Sequence, residues 1–254
     1  MIKRLIPNLI TLSNLTCGVI AIWFAAHGCL VGAAVFVLMG AVFDFFDGMT
    51  ARLLKVQSPM GKELDSLSDV VTFGVAPGFI AFAILGDVAT GGLWWLKYTA
   101  LLIPAFSSYR LGKFNIDERQ TSSFIGLPTP ANALIWLSLG TMHKLAATGA
   151  SSSWMWSFGG WHSYQKMCGM IENPWFLAAL AILLCIALVC ELPLFSLKFH
   201  NLKWSDNRVR YIFLILAVAM IVPLGVVAIP FVMILYIFLS ICYPPKNQND
   251  KHDD

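Results

Sequence analysis

Four aspartates within one short stretch interrupt an otherwise apolar chain. With the small and basic residues between them they read Asp44-x2-Asp47-Gly48-x2-Ala51-Arg52-x8-Gly61-x3-Asp65-x3-Asp69. An aspartate at the centre of a membrane helix costs about 2.5 to 3.5 kcal/mol on insertion scales, so four of them need a compensating partner. Carboxylate oxygens suit Mg²⁺ or Mn²⁺, and the stretch holds no His or Cys that would favour zinc. The pattern therefore predicts a divalent-cation site.

Helical geometry predicts that these aspartates form two pairs that face each other. Asp44 and Asp47 lie about 60° apart around a helix axis, on one face of the same helix. Asp65 and Asp69 lie about 40° apart on the next helix, which we expect to begin near Asp65. Pro59 and Gly61 between the two helices are expected to supply the turn that brings the pairs together.

The small and basic residues of the pattern point to a phosphorylated ligand. Mg²⁺ bound by a few carboxylates usually also coordinates substrate phosphates. Gly48 and Ala51 share the face of the first aspartate pair and leave room for a nucleotide, and Arg52 on the rim is a candidate phosphate ligand. Such a site would catalyse displacement at phosphorus, with a carboxylate taking the proton of the nucleophile. The simpler alternative is an acidic helix end paired with Arg52, Lys55 and Lys62.

The composition places this site in a membrane protein. Of the 254 residues 58% are hydrophobic and 12% are charged, the mean hydropathy is +0.73, and soluble domains carry about 25% charged residues. We therefore predict an all-α polytopic helical bundle. Eight stretches near the ~20 residues that cross a bilayer lie at 9–27, 30–50, 66–86, 93–112, 129–147, 174–195, 209–226 and 228–243. The division between the last two stretches stays open, because Pro223, Gly225 and Pro230 could mark either a tight turn between two spans or a kinked, re-entrant pair.

The basic residues predict the orientation of the chain. Eight spans put both termini on one side, together with the aspartates and fourteen basic residues: Lys3, Arg4, Arg52, Lys55, Lys62, Arg110, Lys113, Arg119, Lys198, Lys203, Arg208, Arg210, Lys246 and Lys251. The other side keeps Lys97, Lys144 and Lys166. This bias predicts a cytoplasmic site and cytoplasmic termini, in the inner membrane if the chain is bacterial. The net charge of +3 reflects this topology and contact with anionic membrane lipid, and nucleic acid is not an expected partner.

One integral domain accounts for nearly the whole chain. Residues 1–243 hold all predicted spans, and the Pro-, Asn- and Asp-rich segment 244–254 is expected to be a disordered cytoplasmic tail.

The aspartate pattern resembles the signature of the CDP-alcohol phosphatidyltransferase family, D-x2-D-G-x2-A-R-x8-G-x3-D-x3-D, at every fixed position. The resemblance implies a homodimeric membrane enzyme with a six-helix core, here about residues 8–195. Such an enzyme transfers a phosphatidyl group from a CDP-linked lipid to an alcohol and releases CMP. By position, Asp44, Asp47 and Asp65 would hold a pair of metal ions, and Asp69 would be both a fourth ligand and the general base.

The same resemblance implies a nucleotide subsite and narrows the acceptor alcohol. The residues that would line the nucleotide and its diphosphate are Gly48, Ala51, Arg52 and Gly61. Flanking segments resemble the integral-membrane phosphatidylserine synthases of bacteria and archaea, which implies CDP-diacylglycerol and L-serine as substrates and eight spans. These segments are NLITLSNLTCGVI (8–20), DSLSDVVTFGVAP (65–77), Arg110-x4-Asn115 and FIGLPTP (124–130). Lys113 stands where this subgroup leads us to expect Arg.

A serine acceptor needs a cation for its carboxylate and hydrogen-bonding groups near Asp69. Arg110, at the cytoplasmic end of the fourth span, and Lys113 are the candidate cations. Asn115 and Thr129 are candidate hydrogen-bonding residues.

Three other functions remain open from the sequence. A sibling transferase that uses glycerol 3-phosphate or inositol phosphate needs extra cations, which Arg110, Lys113 and Arg119 could supply. A divalent-cation transporter would also bury carboxylates, but it should distribute them through the bilayer. A non-catalytic membrane scaffold explains the hydropathy but not the spacing.

Overall fold

The computed structural model of the chain describes residues 2–56, 58–116, 124–147, 169–194 and 204–243. The tail 244–254 and Arg119 lie outside these residues. The helices are α1 (Ile2–Ala26), α2 (Leu30–Leu53), α3 (Pro59–Asp69), a π-helical turn (Val70–Val75), α4 (Ala76–Val88), a 3₁₀ helix (Gly91–Leu101), α5 (Leu102–Ile116), α6 (Thr129–Ala147), α7 (Pro174–Val189), α8 (Trp204–Leu224), a 3₁₀ turn (Gly225–Val227) and α9 (Ala228–Cys242). Two-residue strands, β1 (Phe124–Ile125) and β2 (Pro193–Leu194), pair antiparallel. The all-α prediction is confirmed.

The helical segments of the described chain coincide with the eight predicted apolar stretches. Residues 59–88 are helical throughout, and so are residues 91–116. Four of these segments are long and apolar enough to cross a membrane: Leu5–Ala26, Leu30–Leu53, Pro59–Val88 and Asn207–Cys242. The chain is therefore a membrane-type helical protein, and eight crossings stay a prediction.

The last two helices form a hairpin. The chain reverses in the 3₁₀ turn, where Gly225 has a φ of +55° that a side chain would disfavour. The rings of Phe213 in α8 and Tyr236 in α9 then lie 5.7 Å apart between centroids. Ser138, midway along α6, donates a hydrogen bond of 2.7 Å to the carbonyl of Val226. The structure therefore shows a tight reversal that packs against α6, and whether both helices cross the membrane or form a re-entrant pair stays a prediction.

The helix that carries Asp65 begins earlier than the sequence indicated. Ser58 caps it, because its hydroxyl accepts a hydrogen bond of 3.1 Å from the backbone N–H of Gly61. Pro59 takes the first helical position, where its missing N–H costs nothing. Pro59 and Gly61 therefore lie within the first turn of α3, and the reversal falls just before them, where Lys55 has a φ of 53°.

Small residues let α1, α2 and the π-helical turn approach closely beside the aspartates. A Cβ atom added to Gly40 of α2 would lie 2.6 Å from Thr72 Cγ2, and one added to Gly18 of α1 would lie 2.5 Å from Thr72 Oγ1. Small residues at helix contacts and large ones toward lipid are the usual arrangement in membranes. Accordingly, Ala33 is buried on α2 whereas Val35 and Val42 are exposed.

Candidate active site

Three of the four aspartates converge between α2 and α3. One carboxylate oxygen each of Asp44, Asp47 and Asp65 lies within 4.8 Å of the other two. The helical spacing puts Asp44 and Asp47 on one face of α2, and α3 presents Asp65 to that face. Asp47 is buried, whereas Asp44 and Asp65 are half-buried.

This group of three fits a divalent cation. Asp47 Oδ2 and Asp65 Oδ1 are buried and have no hydrogen-bond partner within the described part of the chain. Carboxylates this close repel one another unless a proton or a cation intervenes. The ion pairs between described residues do not connect these aspartates with Arg52, Lys55 or Lys62. The paired helix end considered above is thus not what the described residues form.

Asp69 lies outside this group and is held by α1. The Asn14 side-chain amide donates a hydrogen bond of 3.3 Å to Asp69 Oδ1. Asn14 is itself fully buried, and its backbone carbonyl accepts a hydrogen bond of 3.1 Å from Thr72. Sequence reasoning missed Asn14. The available signal was the recurrence of Asn8, Thr11 and Asn14 in an apolar helix, because polar residues at membrane depth face protein rather than lipid.

A cavity of about 700 Å³ opens beside the aspartates. All four residues expected to line a nucleotide contribute to it. Its lining consists of Pro7, Asn8, Thr11, Asp47, Gly48, Ala51, Arg52, Val56, Ser58, Pro59, Gly61, Lys62 and Asp65. The sequence did not indicate the contribution of α1, since only tertiary packing brings that helix to the aspartates.

Gly48 keeps this cavity open. A Cβ atom added to Gly48 would have no protein atom within 4 Å, so protein packing does not explain a glycine here. Any side chain at this position would enter space next to Asp47. Arg52 Nε donates a hydrogen bond of 3.0 Å to the Gly48 carbonyl, and the Arg52 side chain is exposed at the cavity.

The four residues predicted to bind the acceptor serine differ in burial and in bonding. Lys113 forms an ion pair of 3.0 Å with Glu191, and the Asn115 amide donates a hydrogen bond of 2.8 Å to Ser66. Arg110 and Thr129 are buried instead. The Arg110 guanidinium interacts electrostatically with the Asp69 carboxylate.

Comparison with known protein families and with individual relatives points to one family. The sequence model of the family described as CDP-alcohol phosphatidyltransferase matches residues 4–241. Relatives from several bacteria carry the name CDP-diacylglycerol–serine O-phosphatidyltransferase. The Bacillus subtilis protein is 40% identical over 129 residues, which are 49% of this chain and 69% of that protein. The Helicobacter pylori (strain 26695) protein is 38% identical over 133 residues, 52% of this chain and 55% of that protein. The Mycobacterium leprae protein is 28% identical over 251 residues, 95% of this chain and 74% of that protein.

Proposed function

Because the chain belongs to the CDP-alcohol phosphatidyltransferase family, we propose that it transfers the phosphatidyl group of CDP-diacylglycerol to the hydroxyl of L-serine. The products are phosphatidylserine and CMP, and the role is phospholipid biosynthesis. The observation that carries this proposal is the convergence of Asp44, Asp47 and Asp65 beside a large cavity whose lining includes Gly48 and Ala51. The names of the relatives support serine as the acceptor.

The aspartates are the proposed holders of the metal. Asp44, Asp47 and Asp65, with Asp69 as a fourth ligand, would hold two Mg²⁺ or Mn²⁺ ions. When bound, such ions supply positive charge that neutralises the diphosphate as CMP leaves. The partnerless oxygens of Asp47 and Asp65 support this role.

The cavity is the proposed nucleotide subsite. Gly48, Ala51 and Gly61 give the nucleotide and its diphosphate access to helix backbone. Arg52, whose charged group is exposed at the cavity, binds a phosphate oxygen. The lipid tails extend sideways into the bilayer, along the exposed apolar surface near Asp44, where Phe45 is 62% exposed.

Asp69 is the proposed general base. The serine hydroxyl oxygen attacks the lipid-bearing β-phosphorus while Asp69 accepts the hydroxyl proton. The bond from this phosphorus to the bridging oxygen breaks, and CMP leaves with that oxygen. Asn14 orients the Asp69 carboxylate through its hydrogen bond, which favours a productive geometry.

Arg110 is the proposed partner of the serine carboxylate. It is buried and interacts electrostatically with Asp69, which supports a serine carboxylate site near the proposed base. Lys113 is paired with Glu191, so it is not the proposed carboxylate partner. Of the two hydrogen-bonding candidates, Asn115 is bonded to Ser66, and Thr129 is therefore the better placed.

The sibling reaction with glycerol 3-phosphate or inositol phosphate is the alternative function, and it needs a second cation for the phosphate. The transporter alternative is disfavoured because the aspartates gather at neighbouring ends of two helices.

The assembly and the setting are proposals as well. Residues 1–243 would form one membrane domain with its catalytic core at about 8–195, active as a homodimer in the bacterial inner membrane with the site toward the cytoplasm. Light scattering of the detergent-solubilised protein tests the dimer, and a monomeric mass for active protein would refute it.

The decisive experiment follows CMP release by the purified protein in detergent. CDP-diacylglycerol, Mg²⁺ or Mn²⁺, and one acceptor at a time are supplied: serine, glycerol 3-phosphate or inositol phosphate. We expect metal-dependent CMP release with serine, and none from Asp47→Asn, which removes one ligand. CMP release only with a phosphorylated acceptor would replace serine by that acceptor, and no release with any acceptor would refute the enzyme.

A further inference from the structure

Buried polar groups without hydrogen-bond partners also occur on α5 and α6, which do not carry the aspartates. Ser107 Oγ, Arg110 Nε, Thr129 Oγ1 and both amide atoms of Asn132 are buried without a hydrogen-bond partner among the described residues. Ser107 and Asn132 are 0% exposed. Buried polar groups in proteins are nearly always hydrogen-bonded to protein or to ordered water, so several groups without a protein partner on neighbouring helices mark a place where a polar ligand can bind.

The two helices that carry these groups flank the π-helical turn that follows Asp69. Ser107 and Arg110 are three residues apart and share a face of α5, and Thr129 and Asn132 share a face of α6 by the same spacing. Both helices pack against the π-helical turn. A Cβ atom added to Gly74 in this turn would lie 3.0 Å from Ser107 Cβ. π-helical turns inside α-helices occur frequently at functional sites, and this one begins directly after the proposed base.

We propose that Asn132, with Ser107, binds the α-ammonium group of the acceptor serine, while Arg110 holds its carboxylate. This inference rests on the proposed function and deepens it. A side-chain amide offers an acceptor oxygen to an ammonium group, and a hydroxyl oxygen offers another. Neither Asn132 nor Ser107 was a candidate from the sequence.

The charges of this subsite match an amino acid better than a phosphorylated alcohol. Arg110 is the one cation among these four buried residues, and the other three are neutral. One cation and neutral acceptor oxygens complement a carboxylate together with an ammonium group. A phosphate group with two negative charges would face the same single cation, and Lys113 is held by Glu191. The subsite therefore discriminates against glycerol 3-phosphate and inositol phosphate.

Truncated acceptors test the assignment of each charged group. Ethanolamine is serine without its carboxylate, and 3-hydroxypropanoate is serine without its ammonium group. In Asn132→Ala we expect the KM for serine to rise about tenfold or more, as loss of a hydrogen bond to a charged group entails. Inhibition of serine transfer by ethanolamine should weaken in parallel, whereas inhibition by 3-hydroxypropanoate and the KM for CDP-diacylglycerol should stay unchanged. Ser107→Ala removes only a hydroxyl group, and it should also raise the KM for serine and weaken inhibition by ethanolamine.

Ser138→Ala is the matched control, because Ser138 is a buried polar residue of the same helix that bonds instead to the Val226 carbonyl. Its KM for serine should equal that of the wild type. Metal-dependent binding of CDP-diacylglycerol shows that each variant is folded.

An unchanged serine KM in Asn132→Ala and Ser107→Ala overturns the inference. So does a loss of inhibition by 3-hydroxypropanoate equal to the loss of inhibition by ethanolamine. If neither analogue inhibits the wild type, the serine KM values of the two variants decide. A wild-type protein that does not use serine at all refutes the proposed function instead.

Discussion

At the scale of single residues, Asp69 differs from the other three aspartates in its surroundings. Asp44, Asp47 and Asp65 have oxygens within 4.8 Å of one another, whereas Asp69 is tied to Asn14 of another helix. A general base needs a defined orientation toward the proton that it accepts. The hydrogen bond from a fully buried amide provides that orientation.

Asp69→Asn should separate binding from catalysis. The amide keeps the shape of the carboxylate but cannot accept the serine proton, so we expect kcat to fall by about 10²- to 10⁴-fold. Equilibrium binding of a fluorescent CDP-diacylglycerol should still require Mg²⁺ or Mn²⁺. Appreciable residual turnover would exclude Asp69 as the base.

Arg110→Ala should affect the acceptor far more than the lipid. Because the guanidinium is proposed to bind the serine carboxylate, we expect the KM for serine to rise by about 10- to 100-fold, as for other charged hydrogen bonds. The KM for CDP-diacylglycerol should change little. Lys113→Ala is the control, since Lys113 is paired with Glu191, and it should leave the serine KM near that of the wild type. Equal increases for both substrates in Arg110→Ala would remove Arg110 from the serine subsite.

Gly48→Val should block the cavity without unfolding the protein. No protein atom lies within 4 Å of the added Cβ, so the side chain meets only the space proposed for the nucleotide. Gly86→Val is the matched control, because Gly86 is also helical and equally uncrowded but lies outside the cavity lining. We expect a raised KM for CDP-diacylglycerol in Gly48→Val alone, with melting temperatures similar in both. Unimpaired lipid use by Gly48→Val would contradict the nucleotide subsite.

At the scale of elements, the site depends on how closely three helical segments approach. Thr72 of the π-helical turn packs against Gly18 of α1 and Gly40 of α2. The same threonine donates its hydroxyl to the backbone of Asn14. The packing of these segments therefore sets the position of the residue that orients Asp69.

Gly40→Ala should destabilise the fold through this contact. The new methyl group would lie 2.6 Å from Thr72 Cγ2 and 2.9 Å from Asn14 Oδ1, and overpacking of this kind costs about 1 to 3 kcal/mol. Thermal unfolding in detergent should show a lower melting temperature. Thr72→Ser removes the crowded Cγ2 methyl and should restore part of the loss in the double variant. Gly86→Ala, with open space around the added atom, should not lower the melting temperature; if Gly40→Ala behaves like this control, the close packing is refuted.

At the scale of the whole molecule, the distribution of charge predicts how the chain lies in the membrane. The connection between α1 and α2, which holds Cys29, is predicted to lie on the side opposite the aspartates, and Cys242 at the end of α9 is predicted to lie on their side. Both cysteines are exposed. They offer natural reporters at the two surfaces.

Single-cysteine variants should report this orientation directly. With all other cysteines replaced by serine, we expect a membrane-impermeant maleimide to label Cys29 in intact cells. Cys242 should react only after the membrane is permeabilised. The reverse pattern would place the aspartates outside the cytoplasm and would contradict the proposed use of a cytoplasmic nucleotide.

The sequence by itself determined the properties that depend on local spacing and composition. Hydropathy predicted the all-α membrane fold, and helical periodicity predicted that Asp44 and Asp47 share one face. Both follow from the chain's own repeat, whatever the neighbouring helices do. The start of α3 was misplaced because Pro59 and Gly61 suit a turn as well as the first turn of a capped helix.

Only the tertiary structure decided which faces meet. The bond from Asn14 to Asp69 joins residues 55 positions apart, and the pair of Lys113 with Glu191 joins residues 78 positions apart. Spacing along the chain carries no information on such contacts, since they depend on how whole helices pack. The same packing buries Asn132 and Ser107 without a hydrogen-bond partner among the described residues, and burial is a property of the folded molecule rather than of its residue types.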